Sequence, residues 1–510
     1  MLRGTFWLAI KSPLQMGIAL WSIPLTQKYI GEAANGAYVF AWGLGFVQFV
    51  LEFGMGSALQ KQAADAYARG DRDGVNRAIA CGMNFYSAVA FVQMIILLTI
   101  AYVILPQTKF AGDQLVLGLL WLQILVSPFF GLSNVVGTVL QAGRRYEIIP
   151  QFETLIVLFR FLLLLVGYFT KAPFLLIVAG QLAIQIGLSV IPALWVMTRE
   201  LGFVPHFRGA RRADYAALVH ISFFMALIQV SVALADKIDT TILGLALPDA
   251  DPRPGITVYQ NVSKPFLQIR QTGWTLAYLV LPAVVSLAVG GDRSSLDRIK
   301  YDGSRLLIAL LLPVTLLAGI YASPFLSLWV GPHFAPEAWM LRLFLVAVAP
   351  LVIVVLTQMA IGMGKIEVIA IAALVGSLVN LPLSYFLTRK LGVSGVIWGT
   401  VLTTLLSNLL VPGVYCFRLL EVKPAEFLYR TLGAPLTGGL ALVVACFAFS
   451  RMVPPGPPVS SSMLERCAPF LANLAVGSVA YLLGYGILPP GRGDLGAVAR
   501  KLTRRPAPAV

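Results

Sequence analysis

Arg160 lies between Leu155–Phe159 and Phe161–Val166, an apolar run on both sides. A cation at such a depth costs about 2.5–3.5 kcal/mol on insertion scales, so it faces a bundle interior or a wet cavity. Lys264 and Arg270 are the other two cations placed to line a cavity. Guanidinium groups hold phosphate or pyrophosphate oxygens bidentately, so the three together point to a large anionic ligand. At an offset of 220 residues Arg160 is matched by Asn380, a polar residue in another apolar helix.

Gln260, Lys264, Gln268 and Gln271 recur at helical spacing and form a polar stripe about three turns long. Pro265 interrupts its hydrogen-bond ladder. The stripe either lines a water-filled cavity or, where the helix begins later, belongs to a solvated loop. Four carboxylates complete the set: Glu52, Glu153, Asp236 and Asp239. Each admits two readings. One binds a coupling proton or sodium ion; the other neutralises a neighbouring cation. The three histidines and four cysteines show no metal-ligand or disulfide spacing, and no P-loop, dinucleotide fingerprint or Ser/His/Asp signature is present. No cofactor is expected.

The elements that must position these residues follow from composition. The 510 residues are 58% hydrophobic and 12% charged, far below the roughly 25% charged content of soluble domains. Apolar runs long enough to cross a hydrocarbon core of about 30 Å recur from end to end. They predict an all-α polytopic membrane protein of about 14 transmembrane helices, near 5–27, 36–59, 79–105, 113–140, 149–170, 173–197, 215–246, 257–289, 304–330, 337–362, 366–388, 393–417, 424–449 and 467–489. The net charge of +15 is topological and not a nucleic-acid footprint. About 25 of the 38 basic residues fall in alternate loops, which puts both termini in the cytoplasm.

An internal echo sets the domain organisation. Gly70-Asp71-Arg72 through Arg77 is repeated by Gly291-Asp292-Arg293 through Arg298, and Arg145-Tyr146-Glu147-Ile148 by Lys365-Ile366-Glu367-Val368, at offsets of 221 and 220. Six spans separate each pair, so the two copies keep the same orientation in the membrane. The expectation is two pseudo-symmetric six-helix bundles, residues 1–198 and 215–420, joined by a cytoplasmic linker at 199–214. An additional helix pair at 421–490 and a basic cytoplasmic tail at 491–510 follow.

Gly31 to Tyr38, Glu52-Phe53-Gly54-Met55-Gly56 with Ala58, Asp239-Thr240-Thr241-Ile242-Leu243-Gly244, Tyr259, Pro282 through Gly291-Asp292, and Leu328-Trp329-Val330-Gly331 carry a resemblance over most of the chain. In order and spacing they resemble the polysaccharide-transporter branch of the multidrug/oligosaccharidyl-lipid/polysaccharide (MOP) exporter superfamily, which includes O-antigen and exopolysaccharide flippases. The resemblance implies a central cavity, alternating access and an undecaprenyl-pyrophosphate-linked oligosaccharide as cargo. It also implies a bacterial inner-membrane location, contact with membrane lipid, and polysaccharide polymerase or assembly proteins as partners. The sequence departs from the superfamily's drug exporters in having Gln15, not a carboxylate, at the first-copy position matching Asp236. It departs from lipid II flippases in lacking arginine-rich first helices. A membrane glycan ligase would need a long catalytic outer loop, which is absent.

Overall fold

The computed structural model describes residues 2–52, 54–143, 145, 147–248, 251–278, 280, 284, 293–455 and 463–503. The side chains of residues 2–13 and of several residues between 217 and 237, Asp236 and Lys237 among them, lie outside the described set. So do the expectations resting on Arg144, Tyr146, Pro282, Gly291, Asp292 and the end of the basic tail.

The described chain is helical, and ten of its helices are long and apolar enough to cross a membrane. By contact density it divides into two units, Met1–Gln260 with Ala373–Val396, and Asn261–Ala372 with Ile397–Val510.

The first unit contains α1 (Leu2–Ile30), α2 (Glu32–Gly43), α3 (Phe46–Leu51), α4 (Met55–Ala68), α5 (Arg72–Thr99), α6 (Gln114–Ala142), α7 (Ile148–Thr170), α8 (Phe174–Arg199), α9 (Arg212–Ala246) and the start of α10 (Arg253–Tyr278). The expected span at 36–59 is not one helix: α2, α3 and α4 divide it. The second break falls at Glu52 and Gly54, and Gly54 takes a left-handed φ of 68° that side chains with a Cβ resist. Interrupted backbone at membrane depth is tolerated where it is buried in protein or faces a wet cavity.

Capping explains two of the helix starts. Asp113 accepts hydrogen bonds from the amides of Leu115 and Val116 at 3.0 and 3.2 Å to open α6. Asp71, in the first copy of the repeated loop, accepts from the Gly74 amide at 2.8 Å to open α5.

One closely packed core joins α4, α5, α6 and α8 through Leu59, Ile79, Val135, Leu140 and Met197. The 199–214 segment rests on this core. Phe203 is buried beneath the Arg72 guanidinium, which lies 5.3 Å from the ring and donates to the Gly202 carbonyl at 3.1 Å. Arg145 pairs with Glu200, and the Asn84 amide donates to the Phe207 carbonyl at 3.0 Å.

The second unit includes the rest of α10, then α11 (Ser304–Ile320), α12 (Val354–Gly362), the start of α13 (Glu367–Leu391), most of α14 (Val393–Thr404), α15 (Ala434–Met452), α16 (Met463–Tyr485) and α17 (Pro489–Thr503). Ala373–Val396, covering most of α13, belongs to the first unit, where the Ser377 hydroxyl donates to the Ser231 carbonyl at 2.9 Å. The expected span at 337–362 is also interrupted, by a short turn at Ala349–Val352 that carries Pro350, a residue without an N–H to continue a helix.

The helices α15 and α16 form an antiparallel pair fastened by Asn473. Its amide donates to the Val453 and Pro469 carbonyls at 2.9 and 2.8 Å, and its oxygen accepts from the Tyr321 hydroxyl at 3.0 Å.

Arg305 ties α17 to α11. It donates to both carboxylate oxygens of Asp494 at 2.8 and 2.9 Å, to Asp302 at 2.9 Å and to the Arg430 carbonyl at 2.9 Å, with 7% of its side chain exposed. Arg305→Ala leaves two carboxylates without this partner. It is expected to destabilise the second unit by about 3–5 kcal/mol, read as a lowered melting temperature in detergent; an unchanged melt contradicts the assignment.

Candidate functional site: a carboxamide-lined cavity in the first unit

Two faces of α7 create the site. Leu155, Phe159, Leu162, Val166 and Phe169 are exposed at helical spacing and make an apolar outer stripe. Glu153, Ile156, Val157 and Arg160 occupy the other face and line a cavity of about 610 Å³. Arg160 therefore cannot extend into lipid without crossing its own helix. Its guanidinium donates to Gln185 Oε1 on α8 at 3.0 Å, and Gln181 of the same helix donates to the Arg160 carbonyl at 3.0 Å.

The break after α3 places Glu52 in the lining of the same cavity. Glu52 Oε1 accepts from Asn134 Nδ2 on α6 at 3.2 Å and from Gln48 Nε2 at 3.5 Å. Glu52 and Glu153 also line an adjoining chamber of about 370 Å³ with Gln60, Tyr86, Asn134 and Gln141. Among the described lining residues the two chambers hold these two carboxylates and one cation, Arg160. The expected cationic cavity is thus mixed in charge within the first unit.

Most of the remaining polarity comes from amides. Gln123 on α6 is 7% exposed and donates to the Ala41 carbonyl at 2.8 Å, fixing the end of α2. Gln93 on α5 accepts from the Ser127 hydroxyl at 2.9 Å. Reasoning from charge missed these positions. Their signal was available as isolated Gln and Asn residues within apolar runs.

The other expected site residues have different settings. α10 is helical from Arg253, so the stripe from Gln260 to Gln271 is not solvated loop. Gln260 Oε1 accepts from Asn35 Nδ2 at 2.8 Å. Lys264, Gln268, Arg270 and Gln271 lie on the part of α10 that belongs to the second unit, with the Arg270 guanidinium 5.2 Å from the Phe266 ring. Asn380 is buried and accepts from the Ser384 hydroxyl at 2.8 Å; it lines neither chamber. Asp239 is also buried, and the Tyr259 hydroxyl donates to its Oδ2 at 2.6 Å. Tyr259→Phe is expected to cost about 1–3 kcal/mol by removing that donor, measurable as a melting shift; no shift would argue that another group already satisfies the carboxylate.

The starts of α2 and α10 meet at one end of the first unit. Asn35 Nδ2 also donates to Thr257 Oγ1 at 3.1 Å, and Thr257 donates to the Glu32 carbonyl at 2.8 Å. The Arg253 carbonyl oxygen stands 1.9 Å from where a Cβ on residue 36 would be, an approach that Gly36 alone permits. Arg253 pairs with Asp251 at 2.8 Å and with Asp113 at 3.3 Å. Its hydrogen bonds hold the Asp251 carboxyl below the ordinary 3.8. That contact is therefore intact at neutral pH and is lost only as pH falls through the depressed value.

No protein-family model matches the chain. It is 24% identical to the uncharacterized membrane protein EpsK of Bacillus subtilis over 457 residues, which cover 86% of this chain and 87% of that protein. The lipid II flippase MurJ in an inward closed conformation superposes with a TM-score of 0.72 at 15% identity, covering 99% of this chain and all of that one. An inward-facing multidrug resistance MATE family transporter of the MOP superfamily gives 0.63 at 11% identity over 81% of this chain. The eukaryotic MATE transporter AtDTX14 gives 0.58 at 14% identity, again over 81%. The difference in coverage is about the size of the segment after residue 420. The chain is a multi-pass membrane protein with the fold of the MOP-superfamily transporters.

Proposed function

We propose that this protein is a flippase of the polysaccharide-transporter branch of the MOP superfamily. It moves an undecaprenyl-pyrophosphate-linked oligosaccharide across the bacterial cytoplasmic membrane for surface polysaccharide synthesis and performs no covalent chemistry. The observation that carries this reading is Arg160 on the cavity face of a largely apolar helix, in a lining rich in amides, groups that donate to and accept from sugar hydroxyls. The fold likeness to a lipid flippase along nearly the whole chain supports it.

In this reading both termini are cytoplasmic, and the pyrophosphate meets Arg160. The polyprenyl tail stays in lipid. The two bundles, residues 1–198 and 215–420, alternate access to the headgroup, and the Asn35–Thr257 contact closes the outer end.

The test is movement of a labelled polyprenyl-pyrophosphate oligosaccharide in proteoliposomes. Wild type should translocate the headgroup, and Arg211→Ala, at the start of α9, should behave like it. The carboxylates Glu52 and Glu153 favour a second reading, an ion-coupled exporter of organic cations. Export of a cationic dye without glycolipid movement would select it.

A further inference from the structure

A pyranose is amphipathic in a regular way: its hydroxyls radiate from the rim, and its two faces carry C–H groups that pack on an aromatic ring. A site that holds one by shape offers a ring beneath it and groups that donate and accept around its edge. The 610 Å³ chamber has both. Trp42, Phe46 and Phe130 supply rings, and Gln48, Gln93 and Gln185 are among the amides of the same lining. Its volume falls in the range of about 300–1,000 Å³ typical of small-molecule sites.

Trp42 is a ring with a fixed base. It stands in the last turn of α2 and is backed by Tyr38, with ring centroids 6.0 Å apart and planes inclined by 29°. Phe174 meets Tyr38 edge-on at 5.3 Å. The Gln123 amide donates to the Ala41 carbonyl, one residue before Trp42, at 2.8 Å. The Leu44 and Gly45 amides return to the Phe40 and Trp42 carbonyls at 3.2 and 3.1 Å. A ring anchored in this way has little freedom left to lose when a ligand packs on it. With Tyr38 against one side, Trp42 gives the chamber the remaining surface of its indole, the largest of the aromatic side chains and one that carries an N–H donor.

We propose that Trp42 is the stacking platform for the sugar bonded directly to the pyrophosphate. Arg160 lines the same chamber, so a phosphate held there brings the glycosyl ring joined to it through a single oxygen into the space Trp42 borders. Sugars further along the glycan lie beyond this subsite. The inference rests on the flippase reading above and names which sugar of that cargo is recognised, and by what surface.

The experiment compares two labelled lipids, polyprenyl-pyrophosphate bearing one hexose and the same lipid without a sugar. Each is offered to wild type, Trp42→Phe and Trp42→Leu in proteoliposomes at matched insertion. The readout is the ratio of the two rates within each variant, which a general loss of folded protein does not move. Wild type is expected to favour the hexose lipid at least about tenfold, and Trp42→Leu to reduce that preference to within about threefold. Trp42→Phe keeps a ring and should retain a preference above about fivefold. Equal wild-type rates, a preference unchanged in Trp42→Leu, or a Trp42→Phe variant no better than Trp42→Leu overturns the stacking platform while leaving translocation in place. Movement of neither lipid by wild type overturns the flippase reading and this inference with it.

Discussion

Arg160→Ala is expected to lower headgroup translocation by about 30- to 1,000-fold at matched membrane insertion, about 2–4 kcal/mol at 1.4 kcal/mol per decade. The size follows from the site. Among the described lining residues Arg160 is the one cation in the two chambers, and its orientation is fixed by Gln185 at 3.0 Å. Removing it leaves an incoming phosphate with two carboxylates and neutral amides. Arg160→Lys keeps the charge but loses the planar fork that holds two phosphate oxygens, so it should fall between wild type and alanine. Melting in detergent separates loss of function from loss of fold, because Arg160 bonds a neutral amide and its removal strands no buried counter-charge. Normal translocation by Arg160→Ala would remove the anion site from the mechanism.

Gly36→Leu should open the end of the first unit where α2 meets α10. The Arg253 carbonyl occupies the volume a side chain would need, so the added atoms must push the two helix starts apart. Overpacking of this kind costs about 1–3 kcal/mol, which shifts an opening equilibrium by about 5- to 150-fold. Ile256 is fully buried beside this contact and does not take part in the Asn35 hydrogen bonds. In a Cys467→Ser background, Ile256→Cys should react with an impermeant thiol reagent faster by that factor when Gly36→Leu is present, and glycolipid movement should fall. Equal labelling with and without Gly36→Leu would show that the contact does not close the outer end.

The hydropathy of the chain was enough to anticipate a helical membrane protein, and the expected spans near 113–140, 149–170, 173–197 and 366–388 fall on α6, α7, α8 and α13. The two interrupted spans were less legible. An apolar sum over 20 residues is the same whether the helix is whole or broken, although Gly43, Gly45, Gly54 and Gly56 around Glu52 offered a local hint. The arginines at 199–214 mark that stretch as a hydrophilic linker, and composition alone says nothing of what its backbone rests on. In the folded unit Phe203 anchors it, and Arg72 and Arg145 hold its backbone and Glu200.

The carboxylates make the division plain. Sequence identified Glu52, Glu153 and Asp239 as groups whose burial demands a reason, because the cost of a charge in lipid depends on residue type and depth alone. Which reason applies depends on neighbours distant in the chain. Glu52 meets Asn134 and shares its chambers with Glu153, whereas Asp239 is engaged by Tyr259 and lines neither. The sequence by itself determined the lipid environment, the helices and the anomaly of Arg160, since these follow from local composition and periodicity. Only the tertiary structure decided which polar residues share a cavity and what charge it carries, since helix rotation and packing determine which side chains face one another.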